Sequence, residues 1–134
     1  MCRASLVALL VCSAGCRLNP GQSRQGQVAL EFARALSVGR FDEAHKHLSS
    51  ELGQQLPVPK LREAYEGMVS YGQPGKADVV QVMEAMDYWP AKKAGDVGWA
   101  YVAIAGDSFS EGLAIVVADE GGRLVIRDIE WGRP

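Results

Sequence analysis

The sequence predicts an α+β fold in which N-terminal helices pack on a four-stranded antiparallel sheet. Apolar residues recur with helical spacing in the first half of the chain, whereas beyond Ala77 they alternate with polar residues as in strands. The predicted strands are separated by short turns. Such turns join antiparallel neighbours, because a parallel pair needs a crossover of roughly a dozen residues or more. A block of helices followed by a block of strands is typical of the α+β class.

The composition is that of one ordinary globular domain. The chain has 134 residues, of which 48% are apolar and 22% charged, so one packed core is expected. The net charge is -2 and there is no long run of basic residues. Proteins neutralise phosphate backbones with clustered Lys and Arg, so nucleic acid is not expected as a partner.

Residues 1–15 are predicted to be an export signal. Arg3 precedes an uncharged, largely apolar run over residues 4–12. A membrane-spanning helix needs about 20 apolar residues, and this run is well short of that but has the length of a signal peptide's apolar segment. Small residues then lead directly into Cys16.

Ala14-Gly15-Cys16 resembles the bacterial lipobox, in which small residues precede a cysteine that receives lipid. The resemblance implies cleavage after Gly15 and lipidation of Cys16, although Ser13 stands where the lipobox usually has Leu. Cys12 is a poorer candidate, because a bulky valine would occupy its cleavage position. The alternative is an ordinary signal peptide cut nearby, which would leave Cys16 as a free thiol.

Lipid on Cys16 would hold the mature protein to a membrane of the bacterial cell envelope. Two or more acyl chains exceed the marginal binding of one, because each buried methylene contributes about 0.8 kcal/mol. Arg17 follows the cysteine, and by resemblance to enterobacterial lipoproteins this favours the outer membrane, facing the periplasm. Residues 16–26 carry Pro20 and several polar residues and are predicted to be the lipidated cysteine and a flexible tether, with the folded domain over residues 27–134.

Three helices are predicted in the first half of the domain. The first covers residues 25–38, the second follows an N-cap at Asp42, and the third begins at Pro59. Apolar residues at i, i+3, i+4 and i+7 mark the buried faces: Ala29, Phe32, Ala33 and Leu36, then Ala44, Leu48 and Leu52, then Leu61, Ala64, Tyr65 and Met68. Strands are predicted over residues 80–88, 98–105, 109–118 and 123–131, and the two glycines at 121 and 122 indicate a hairpin turn.

The link Gly39-x-Phe41-x-x-Ala44 between the opening helices, followed by an antiparallel sheet, resembles the cone-shaped fold of the nuclear transport factor family. The resemblance implies that the sheet is curved, and the superfamily contains both enzymes and non-catalytic members. The closing residues 123–134 are similar to the ends of small bacterial proteins of this fold, some of which are immunity proteins against secreted toxins. This resemblance brings no catalytic motif.

Candidate metal-binding and catalytic residues are few. His45 and His47 lie two apart in a predicted helix, about 200° around its axis, so they do not face one metal, and no metal site is expected. Enzymes of the cone fold use a carboxylate or histidine that points inward. The candidates are Glu84, Asp87, Glu111, Asp128 and Glu130. Strand alternation places most of them outward, and Asp128, between Ile126 and Ile129, is the first choice for an inward acid.

The aromatic residues are the other candidates for a site. Most should fill the core, since aromatic side chains dominate the burial of small domains. Trp89, at a strand end beside Lys92 and Lys93, is expected to be exposed and to form a binding surface with Tyr88 and Trp131. The remaining aromatic candidates are Tyr65, Tyr71, Trp99 and Tyr101.

The sequence favours a non-catalytic binding function. It contains no specific Ser-His-Asp arrangement, phosphate-binding glycine loop or dinucleotide fingerprint, and no cofactor is expected. The leading hypothesis is a lipid-anchored binding module whose partner is a toxin or an envelope component. The alternatives are a small enzyme or ligand carrier that uses the concave face of the sheet, and a structural lipoprotein. An open cone lined by polar groups would favour the enzyme or carrier, and a filled cone the binding module.

Overall fold

The computed structural model describes residues 19–72 and 77–132. The helices are α1 (Arg24–Ser37), α2 (Phe41–His45), α3 (Ser50–Gln55) and α4 (Val58–Val69), and the strands are β1 (Val79–Met86), β2 (Asp96–Ala105), β3 (Ser110–Glu120) and β4 (Arg123–Glu130). Short 3-10 turns cover Pro20–Gln22 and Ser70–Gly72. The strands form one sheet in the order β1-β2-β3-β4 with antiparallel neighbours, so the predicted α+β class and meander are confirmed.

Helix α1 covers the sheet with the apolar stripe predicted for it. The Ser23 hydroxyl caps its first turn by accepting a hydrogen bond from the Gly26 N–H at 3.0 Å. Phe32 and Leu36 have no solvent exposure and pack in the main core with residues of β2 and β3. The helix ends before Gly39, whose φ of 78° is readily adopted only by glycine.

The folded domain begins before residue 27. The prediction of a tether through residue 26 is therefore wrong for residues 19–26, which belong to the 3-10 turn and the start of α1. Asn19 accepts a hydrogen bond from the Gly21 N–H, and the 3-10 turn that follows contacts β1. Gln25 is buried and donates to the Met86 carbonyl and to Asp87 Oδ1 at 3.2 and 3.1 Å. Gly98 leaves room for it, because a Cβ at that position would collide with the Gln25 side chain.

The predicted second helix is divided into α2 and α3, which corrects the sequence prediction. The break occurs at Leu48, where the chain pairs with β4: the Ile126 N–H donates to the His47 carbonyl and the Ser49 N–H donates to the Ile126 carbonyl. The Ser49 hydroxyl then caps α3 by accepting from the Leu52 N–H. Asp42 is not an N-cap; Arg40 precedes α2 without a side-chain cap.

Helix α4 forms as predicted, and its first residue is Val58, one residue before the predicted start at Pro59. Pro57 is its N-cap and Pro59 lies in its first turn, where a missing N–H costs no helical hydrogen bond. Leu61, Tyr65 and Met68 of the predicted face are buried.

The two faces of the sheet have different surroundings. On β2, Ala100, Val102 and Ile104 have no solvent exposure and pack with the helices. The alternate residues, Trp99 and Tyr101, point to the opposite face, here called the outer face. The strand register places Ala114 and Val116 of β3 and Asp128 and Glu130 of β4 on that face with them. β-bulges interrupt the register in all three strand pairs.

The space between the helices and the sheet is filled with apolar side chains. The main core cluster contains Phe32 and Leu36 of α1, Leu61 and Tyr65 of α4, and the helix-facing residues of the sheet. The buried Gln25 lies at the start of α1 against Gly98. The largest fully buried side chains of the main core cluster are Phe32, Leu36, Leu61, Ile104, Leu113, Ile115, Ile126, Val102 and Val117. Within the described ranges, no helix is long and apolar enough to cross a membrane.

Candidate functional site

A groove on the outer face combines partly exposed aromatic rings with carboxylates. Its volume is about 430 Å³, and it lies where β2, β3 and the end of β4 meet. Its lining residues are Trp99, Tyr101, Glu111, Gly112, Ala114, Glu130, Trp131 and Gly132.

Trp99 and Tyr101 form the aromatic surface of this groove. They are two residues apart on β2, so their side chains share a face, and their rings stack with centroids 6.4 Å apart and planes inclined by 16°. Tyr101 is 38% exposed. Its phenol lies across Gly112 of β3, and a Cβ at that position would overlap the ring. Gly112 therefore allows Tyr101 to lie against the sheet.

Carboxylates flank the aromatic pair on both sides. In the sheet register, Tyr101 lies opposite Glu84 on β1 and Ala114 on β3, and Ala114 lies opposite Glu130 on β4. One step along the outer face, a second row of paired residues crosses the sheet. Met86 lies opposite Trp99, Trp99 opposite Val116, and Val116 opposite Asp128. Glu84, Asp128 and Glu130 are exposed. Glu111 pairs with Ile104 of the helix-facing row; it is half-buried and lines the groove at the start of β3, beside Gly132.

Trp131 and Gly132 form the wall of the groove next to β4. Trp131 is half-buried and packs against the main core. It also borders a second groove of about 540 Å³ beside α4, whose other lining residues include Lys60, Glu63 and Met68. Trp131 therefore separates the outer face from the helical side.

The one buried carboxylate of the described residues is Asp96, which the sequence analysis did not single out. Its oxygens accept hydrogen bonds from Arg127 Nε at 2.6 Å and Nη2 at 2.7 Å, and from the Lys93 N–H. Burial raises the pKa of this carboxyl, but the hydrogen bonds and charge of Arg127 outweigh it and hold the pKa below its usual value. Asp96 is thus ionised and paired, as in a structural ion pair.

Trp89 is only 8% exposed, so the prediction of an exposed Trp89 is wrong. Lys92 lies above its ring, with Nζ 5.8 Å from the centroid, and also donates to the Asp87 carbonyl. Tyr88 is 76% exposed, as a binding residue would be. The structure does not bring the three predicted binding residues together: Trp131 lines the groove, whereas Tyr88 and Trp89 lie in the β1–β2 loop outside its lining.

The predicted inward acid is also corrected. Asp128 is exposed and accepts a hydrogen bond from the Ile129 N–H. It pairs with Val116 on the outer face, so it cannot point into the space between the helices and the sheet. Of the other candidates, Glu84, Asp87 and Glu130 are exposed, in agreement with the outward positions predicted for most of them. Glu111 is half-buried and pairs with Ile104 of the helix-facing row, so it is the exception.

The two histidines lie on the helical side. His45 Nε2 is 3.0 Å from the Gly53 carbonyl oxygen. His47 is half-buried, and burial lowers its pKa despite the opposing charges of Glu31 and Glu43, with Arg123 adding to the decrease. No group of His, Cys, Asp and Glu within the described ranges could hold a metal ion.

The proposed lipidation residue Cys16 and cleavage residue Gly15 lie outside the described residues. Comparison with protein families, with curated protein sequences and with solved structures found no match. The chemistry of the outer face is therefore the basis for a functional assignment. Aromatic ring faces and carboxylates both attract cations. The described lining of the groove contains no Ser, Thr, Cys, Lys or His.

Proposed function

We propose that the chain is a lipid-anchored protein of the bacterial cell envelope that acts as a non-catalytic binding module. Its proposed partner is a basic protein of the secreted-toxin class, which it would neutralise in the manner of an immunity protein. The observation that carries this proposal is the apolar filling between the helices and the sheet. It leaves the groove on the outer face, where Trp99, Tyr101 and Trp131 meet, as the surface at which a partner would contact several aromatic groups together.

The filled core argues against a catalytic or ligand-carrying cone. Ligand pockets are concave and combine apolar walls with a few convergent polar groups. On the helix-facing side of the sheet, Val102, Leu113 and Ile115 are in contact with helix residues and have no exposure. We propose a cone-shaped fold of the nuclear-transport-factor type, supported by the β-bulges, which bend sheets. In this protein the interior of that cone would be packed.

The outer face has the composition of a protein-binding surface. Tyr and Trp are preferred anchors at interfaces, and Tyr101, Trp99 and Trp131 lie together around one groove. The surrounding carboxylates would attract a basic partner and increase its rate of association.

The proposed anchor would hold the domain close to the membrane. Two residues, Arg17 and Leu18, separate Cys16 from Asn19, the first residue that the structure describes. Three peptide units span at most about 11 Å. A protein partner would therefore meet the domain at the membrane surface.

Affinity purification of the full-length protein from its own envelope tests this function. We expect a protein to copurify with the wild type and with Arg34→Ala, an exposed change on α1. The same protein should be lost from Tyr101→Ala, because the aromatic surface of the groove is removed. Equal recovery with Tyr101→Ala, or no copurifying protein at all, would contradict a binding function of the outer face.

A further inference from the structure

The lining of the groove on the outer face is acidic, so the groove should attract cations. Two of its eight lining residues, Glu111 and Glu130, are carboxylates, and no described lining residue is basic. Glu84 and Asp128 extend the negative charge along the same face. Arg127, the cation nearest to Asp128 in sequence, is held by Asp96 in a two-point ion pair. The described groove therefore has unneutralised negative charge beside aromatic rings.

The ring geometry favours a flat cation. Trp99 and Tyr101 are nearly parallel, so their ring faces share one orientation, which suits a flat group, and the two rings do not form a closed cage. A guanidinium group is planar, stacks on aromatic faces and donates two parallel hydrogen bonds to one carboxylate. An ammonium group is a compact, strongly hydrated charge, and a quaternary ammonium cannot donate a hydrogen bond to Glu111 or Glu130.

We propose that the groove binds the guanidinium group of an arginine side chain on the protein partner, stacked on Trp99 and Tyr101 and hydrogen-bonded to Glu111 or Glu130. This assignment rests on the proposed binding function and names the chemistry of its contact. Glu111 is half-buried beside Gly132, where a Cβ would collide with its carboxylate, so the glycine leaves this acid accessible from the groove.

The test is a titration of the isotope-labelled full chain in detergent micelles with N-acetyl-arginine amide. The indole N–H signals of Trp99 and Trp131 should shift saturably, whereas that of Trp89, outside the groove lining, should stay in place. N-acetyl-citrulline amide has nearly the same shape without the charge, and should bind at least about tenfold more weakly. Equal binding of the two probes, or shifts at Trp89 alone, would overturn the proposal.

Two further probes distinguish the cation chemistry. N-acetyl-lysine amide and tetramethylammonium should each bind more weakly than the arginine probe, because neither stacks as a plane and donates two parallel hydrogen bonds. Tighter binding of tetramethylammonium than of the arginine probe would overturn the guanidinium assignment in favour of a site for a small quaternary ammonium compound.

Substitutions in the groove complete the test. Replacing both acids, Glu111→Gln with Glu130→Gln, should weaken the arginine probe about tenfold, because charge-assisted hydrogen bonds are lost. Glu51→Gln with Glu66→Gln, exposed changes on α3 and α4, is the matched control and should leave affinity unchanged. Gly112→Ala should also weaken binding, since the new Cβ displaces Tyr101. Equal weakening by the control pair would show that only overall charge matters and would overturn the site.

Failure of this proposal can be distinguished from failure of the binding function. If a protein copurifies through Tyr101 but the arginine probe does not bind, the guanidinium assignment is wrong and the binding function stands. If the arginine probe binds at the groove but no protein copurifies, the guanidinium site is supported and the proposed protein partner is wrong.

Discussion

Arg127 donates hydrogen bonds from Nε and Nη2 to the two oxygens of Asp96, and this pair connects the first residue of β2 to the bulge in β4. The two residues do not lie on adjacent strands, because β3 runs between them. The side chain of Asp96 has no solvent exposure, whereas that of Arg127 is 28% exposed. The pair therefore fixes the end of the sheet by connecting strands that share no backbone ladder.

Removing the charge of Asp96 should lower stability. Asp96→Asn keeps the shape but loses the charge-assisted hydrogen bonds, and should reduce the free energy of unfolding by about 2 kcal/mol at neutral pH. Urea unfolding provides the measurement. Asp107→Asn, an exposed change in the β2–β3 turn, is the matched control and should have little effect.

The effect of Asp96→Asn should depend on pH in a defined direction. Because the pKa of Asp96 is lower in the folded protein, its ionisation stabilises the fold above the unfolded-state value of about 3.9. This contribution is lost as the pH falls through the lower, folded-state pKa. The difference in stability between wild type and Asp96→Asn should therefore shrink below about pH 4. A difference that stays constant into strong acid would contradict the ion-pair account.

The helices and strands were predictable because their signals are local. The stripe of Phe32 and Leu36, and the alternation along β2, follow directly from residue spacing. The division of the second helix was not predictable, because it depends on hydrogen bonds between Ser49 and Ile126, far apart in the sequence.

The candidate site was predictable only in part. Alternation alone places Trp99 and Tyr101 on one face. Trp131 lies beyond the last residue of β4, so strand alternation does not place it in the groove that it lines. The burial of Trp89 depends on how the β1–β2 loop folds, including the position of Lys92 over the ring. Pairing of Asp96 with Arg127 depends on the bulges in β2 and β4, which shift the strand register by one residue.

Truncating Phe32 should test the packing of α1 on the sheet. Phe32 has no solvent exposure, so Phe32→Ala should lower the free energy of unfolding by about 3 to 5 kcal/mol through lost contacts and the cavity left behind. Arg34→Ala, two residues away on the exposed side of the same helix, should change it by less than about 0.5 kcal/mol. Chemical denaturation of both variants measures the difference. Similar stabilities for the two would show that α1 does not cover the core.

If Cys16 carries the lipid anchor, replacing Cys16 should change detergent partitioning, whereas replacing Cys12 should not. Cys16→Ser should move the protein from the detergent phase to the aqueous phase in a detergent partition experiment, because the residue that receives lipid is lost. Cys12→Ser is the matched control and should leave partitioning unchanged, since Cys12 is predicted to be removed with the signal peptide. Detergent partitioning of Cys16→Ser like that of the wild type would refute lipidation at this residue.

The central claim is that the protein acts by binding a protein partner through the outer face of its sheet. Site-specific photo-crosslinking in intact envelopes tests this claim most directly, with a photoreactive phenylalanine in place of Tyr101 or, as control, Arg34 on the helical side. We expect one protein to form an adduct with the chain labelled at position 101 and not with the chain labelled at position 34. An adduct formed only from position 34, the same adduct from both positions, or none from position 101 would contradict the assignment of the outer face as the binding surface.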